Sequence, residues 1–126
     1  MGQQQLLLIV LGVIVVGIAV VVGINLFNAN AVSSNRDGVV SDLNNLGAMA
    51  QQYYKKPASM GGGGNTFTGW TVPSQLDTTA NGFYVETVAA QSVVIVGTGN
   101  EKNDAGQLIQ HTATIKPTTI SVTLTQ

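Results

Sequence analysis

Apolar and polar positions divide this chain into three stretches of different period. Residues 6–24 (LLLIVLGVIVVGIAVVVGI) contain no polar side chain. At a rise of ~1.5 Å per residue the run is about 28 Å long as a helix, which matches a hydrocarbon core of ~30 Å. From Val32 onward the apolar residues instead recur every three or four positions: Val32, Val39 with Val40, Leu43, Leu46 with Gly47, Ala50, and Tyr53 with Tyr54, with Arg36 in one slot. Ser34, Asn35, Asp37, Ser41, Asp42, Asn44, Asn45, Gln51 and Gln52 lie between and are expected to face water. Lys55 and Lys56 suit the negative end of the helix dipole, and Pro57 is a stop signal. The pattern predicts one helix from about Gln3 to Lys55, apolar all round in its first half and amphipathic in its second. Such a helix exceeds about 70 Å, several times the ordinary globular length.

Beyond Pro57 the period changes. Gly61, Gly62, Gly63 and Gly64 offer no side chain to pack and predict a flexible loop. Phe67, Trp70, Val72 and Leu76 follow without a clear period, as expected of an irregular segment laid over the helix. Residues 83–88 alternate moderately, residues 92–96 (SVVIV) form a short apolar strand, and residues 97–106 gather Gly, Asn, Asp, Glu and Lys as a loop. The clearest pair is last. Ile109, His111, Ala113 and Ile115 share one side of a strand, Ile120, Val122 and Leu124 alternate in the next, and Pro117, Thr118 and Thr119 join them as a hairpin.

One apolar helix stripe and one apolar sheet face satisfy each other. The expected fold class is therefore α+β: a long N-terminal helix with its apolar half protruding and its amphipathic half packed on an antiparallel sheet of about four strands. The domains follow as residues 1–30, a transmembrane or filament-core helix, and 31–126, a globular domain. The latter divides into half-helix 31–56, Gly-rich loop 57–66 and C-terminal sheet 67–126.

Composition narrows the chemistry. With no cysteine, disulfides, thiol nucleophiles and Cys-based metal sites are excluded. Charged residues are 9% of the chain, against about 25% in ordinary soluble domains, and the net charge is −1. Such a surface repels its copies weakly and tolerates dense packing, as in an envelope or extracellular polymer. Arg36, Lys55, Lys56, Lys102 and Lys116 are too scattered for a nucleic-acid footprint. His111 falls on an apolar strand face and reads as a packed imidazole with one hydrogen-bond partner. The glycine run lacks the Gly-Lys-Ser/Thr of a phosphate loop. Asp77, Glu86, Glu101 and Asp104 lie in separate elements and specify neither a carboxylate pair nor a calcium loop. The residues predict no catalytic, cofactor or metal site, and hence no enzyme.

An apolar N-terminal run that continues as an amphipathic helix and carries a small sheet resembles the type IV pilins. It is similar above all to short pilin-like proteins that open MGQQQLLLIVLGV and carry QQYYKKPASM, residues 51–60, before a glycine run. The resemblance implies a membrane-resident subunit that an assembly ATPase and a platform protein move into a helical filament of many identical copies, with the helices inside and the sheets outside. The assembly core would be Leu6, Leu7, Leu8, Ile9, Val10, Leu11, Gly12, Val13, Ile14, Val15, Val16, Gly17, Ile18, Ala19, Val20, Val21, Val22, Gly23 and Ile24. Terminal contacts or processing would involve Met1, Gly2, Gln3, Gln4 and Gln5. Localisation would be the inner (cytoplasmic) membrane, among its lipids, before assembly and the extracellular filament after it.

Three departures from the pilin pattern shape these expectations. Residues 1–5, MGQQQ, contain no Lys or Arg, where a common pilin precursor carries a basic leader. The fifth position, a glutamate in common pilins, is Gln5 counted from Met1 or Leu7 counted after Gly2, so hydrogen bonds replace a charge pair. No proline interrupts residues 2–56, which predicts a largely continuous helix, while Gly12, Gly17 and Gly23 point in different directions as close-approach points for several neighbours. A single-pass anchor holding a small binding module is the alternative, although the amphipathic extension stands where an anchor wants a flexible linker. Adhesion, motility, conduction and biofilm scaffolding are all compatible with such a filament.

Overall fold

The structure is a computed structural model describing residues 2–126. The chain separates into two compact units, Met1–Ala31 and Val32–Gln126. Helix α1, Gly2–Lys55, supplies the first unit and the first element of the second. It is assigned as α-helix throughout, as the lack of proline predicts.

In the second unit a single 3₁₀ turn, Ala58–Met60, precedes five strands: β1 (Thr78–Thr79), β2 (Gly82–Val88), β3 (Val93–Lys102), β4 (Leu108–Ile115) and β5 (Ile120–Leu124). They form one antiparallel meander in the order β1-β2-β3-β4-β5. The α+β class is thus present, with one strand beyond the expected four. The extra strand is the two-residue β1, too short for an alternating pattern to reveal. The irregular segment before it carries fully buried Phe67 and lays that ring 4.8 Å from the ring of Tyr54 on α1.

The predicted stripe is the buried face of α1: Val39, Leu43, Leu46, Gly47 and Ala50. It packs with Val93, Ile95, Ile109, Ala113 and Ile115, the alternate residues of β3 and β4. Burying each large aliphatic contributes roughly 1.5–3 kcal/mol, so these pairs supply most of the unit's cohesion. Three residues expected to face water do not. Asn35, Asp42 and Gln51 are half-buried and hydrogen-bond to the other elements, because they flank the stripe where helix and sheet diverge.

Of the segment read as a loop, only residues 103–106 form the turn before β4, and residues 97–102 are instead the second half of β3. Its glycines are why the alternation fades. A Cβ on Gly97 would stand 3.0 Å from Val39 Cγ1 and 2.9 Å from the Tyr84 ring, so the absent side chain lets α1 approach the sheet. The glycine run is likewise an ordered cap rather than a flexible loop. Backbone N–H groups of Gly63, Gly64 and Asn65 donate to the carbonyls of Tyr53 (2.8 Å), Lys56 (2.9 Å) and Tyr54 (2.8 Å), which the helix itself leaves unpaired. At Gly63 any side chain would collide with the Thr66 carbonyl.

Gly97→Val should therefore lower the stability of the sheet unit by about 1–3 kcal/mol through overpacking. Thermal melts of the full chain in detergent, followed by near-ultraviolet circular dichroism of Trp70 and the tyrosines, would measure the loss.

Candidate assembly segment

All nineteen residues proposed for the assembly core lie on α1 within the first unit. Their large apolar side chains are 51–69% exposed on every side of the helix, where a soluble helix would bury one stripe. The segment is long and apolar enough to cross a membrane. Gly2, Gln3, Gln4 and Gln5 form the first turn and are exposed; Met1 lies outside the described residues. No polar side chain interrupts the surface between Gln5 and Asn25.

At Gly12, Gly17 and Gly23 an added Cβ would meet nothing within 4 Å. Each glycine costs about 1 kcal/mol of helix propensity relative to alanine, and nothing in the surrounding structure requires one. The exposed apolar surface continues one turn past Ile24. Leu26 is 61% exposed, and Phe27 at 77% is the most exposed large apolar side chain among the described residues. Asn25 masks both in the sequence, because it ends the uninterrupted apolar run.

Chemistry in the sheet unit is structural. One carboxylate oxygen of Asp42 accepts hydrogen bonds from Thr79 Oγ1 (2.9 Å), Asn81 Nδ2 (3.1 Å) and the Tyr84 hydroxyl, fastening α1 to β1, β2 and the turn between them. Burial pushes the Asp42 pKa up, but the bonds from Tyr84, Asn81 and Thr79 together pull it below its ordinary value. Burial, followed by the bond to Asp42, raises Tyr84. Asn35 Nδ2 donates to the Asn81 carbonyl at 2.7 Å, while its Oδ1 accepts from the backbone of Asn100 (3.0 Å) and Glu101 (3.1 Å). Among the described residues no three His, Cys, Asp or Glu side chains are placed to share a metal ion. A shallow, open pocket of ≈ 420 Å³ is lined by Gln52, Lys55 and Lys56, with no polar group aimed into it from the sheet.

His111 sits on the inner sheet face, as its strand alternation indicates, in a cross-strand row with Tyr84, Gly97 and Leu124. It is 7% exposed and its Nε2 has no hydrogen-bond partner. Burial, and then the positive charge of Arg36 on α1, lowers its pKa against a weaker opposing effect of the Thr123 backbone. The Arg36 guanidinium donates to the Gln126 backbone oxygen at 3.2 Å.

Comparison with family models, curated proteins and solved structures gave no match. The class defined by the structure is an α+β chain with one membrane-length apolar helix.

Because the folded chain holds His111 below its ordinary 6.5, the unfolded chain takes up the proton first as pH falls. Stability is complete above about pH 6.5 and declines below it; Asp42 adds a separate loss below its ordinary 3.8. Melts of the full chain in detergent at pH 7.5 and 5.0 should differ for the wild type, and His111→Leu should remove most of that difference.

Proposed function

We propose that this chain is the structural subunit of an extracellular, type IV pilus-like helical filament, held together by mutual burial of residues 6–24 from many copies. The observation that carries the reading is the all-round exposure of these side chains. Burial is worth roughly 1.5–3 kcal/mol for each large aliphatic, so the total over the segment far exceeds the net stability of a small domain. Something apolar must cover it on all sides.

Lipid does so before assembly, and neighbouring helices of the same kind do so afterwards. Lipid tails and apolar helices are nearly equivalent solvents, so transfer between them gains through packing, not through new hydrophobic burial. The unexplained Gly12, Gly17 and Gly23 support packing against several neighbours, since they remove bulk at separate points around the helix. Valine and isoleucine dominate the remainder and lose little rotamer freedom on ordering. The sheet unit, Thr-rich and with a net charge of only −1, serves as the coat. Transfer from the inner membrane would require an assembly ATPase and a platform protein, as the resemblance to pilins implies.

Val16→Asp should abolish assembly while leaving the sheet unit folded. Electron microscopy of sheared surface material would count filaments, and circular dichroism of the detergent-extracted chain would check the fold. Abundant filaments built from the Val16→Asp chain would refute the reading.

A further inference from the structure

The apolar run is bracketed by side-chain amides: Gln3, Gln4 and Gln5 on one side, Asn25, Asn28 and Asn30 on the other. All six are exposed on α1 in the first unit. Successive helical residues lie about 100° apart, so each group fans over more than half of the helix circumference. The first charged residue of the chain is Arg36.

At the two surfaces of a bilayer these amides reach interfacial water. Inside a filament they lose it, and each then needs a donor and an acceptor, because an unpaired buried amide is strongly disfavoured. Residues 6–24 offer no side-chain partner, and their backbone groups are already paired within the helix. What remains in the first unit of a neighbouring copy is its amide groups, together with the N–H groups that the first turn of α1 leaves unpaired within the helix beside Gln3, Gln4 and Gln5. Glutamines facing glutamines at equal height would give contacts that close into a finite bundle, whereas an open filament requires successive copies to be displaced along the axis.

Resting on the filament reading above, we infer that the glutamine group of one copy packs beside the asparagine group of a second copy displaced along the axis. Asn25 follows Gln4 by 21 residues. The displacement is therefore about 31 Å at the helical rise, the same length that suits the segment to a bilayer. One spacing thus sets both the membrane span and the stagger between these two copies.

The native chain has no cysteine, so introduced thiols report alone. Full-chain filaments carrying Gln4→Cys with Asn25→Cys would be oxidised in air and run on a non-reducing gel. Disulfides require Cα atoms within about 7 Å. The expected result is a ladder extending past dimers, because every copy links to one above and one below, with no ladder from Gln4→Cys paired with Val15→Cys. Dimers from Gln4→Cys alone would indicate equal-height packing and overturn the inference. Intact filaments with no cross-link would overturn it too, while leaving the filament reading in place. Absence of any filament from the wild-type chain would remove that reading itself. Should the double variant not assemble, the wild-type filament density decides directly: Asn25, Asn28 or Asn30 of another copy stands beside Gln3, Gln4 and Gln5, or it does not.

Discussion

Residues 6–24 cannot stay in water, and no polar position among them allows a compromise. A helix with one apolar stripe can be completed by one sheet, which is how α1 behaves from Val39 to Ala50. A helix that is apolar all round needs a surrounding solvent of its own kind. Lipid and identical helices both qualify, and the same side chains serve either. On the filament proposal, the valine-rich surface, the three glycines and the terminal amides are features of one segment that serves both environments.

The sheet unit answers a different constraint. It must hold the amphipathic part of α1 against the sheet, and it does so by close approach. Gly97 lets Val39 sit down on the sheet, and the N–H groups of Gly63, Gly64 and Asn65 close the helix end. Asp42 and Asn35 add polar ties at the half-buried margin of the core. Against this cohesion stands His111, a buried imidazole whose Nε2 has no hydrogen-bond partner and whose protonation is disfavoured by burial and by the charge of Arg36.

Much of the fold was legible because it rests on simple periods. The stripe from Val32 to Tyr54 and the alternation through β4 name their buried faces directly, whereas in β5 the alternate residues Ile120 and Val122 are only half-buried and Leu124, near the chain end, is exposed. What escaped involved glycine and short polar side chains. Gly97 and Gly99 carry no side chain to alternate, so β3 looked finished at Val96. Asn35 and Asp42 read as solvated because composition cannot tell a polar residue at a packing margin from one in water. The exposed apolar run was legible in the sequence, glycines included, while the continued exposure of Leu26 and Phe27 beyond Asn25 was not. No pattern in a single chain states what covers an apolar helix, since lipid and copies ask for the same residues.

Cryo-electron microscopy of surface appendages sheared from cells, with this chain traced in the density, tests that covering most directly. Residues 6–24 of many copies should lie at the filament axis, enclosed by one another, with the sheets outside. Appendages that lack the chain, together with dispersed monomers in the membrane fraction, would mean that lipid alone covers the helix and that the chain is an anchored module.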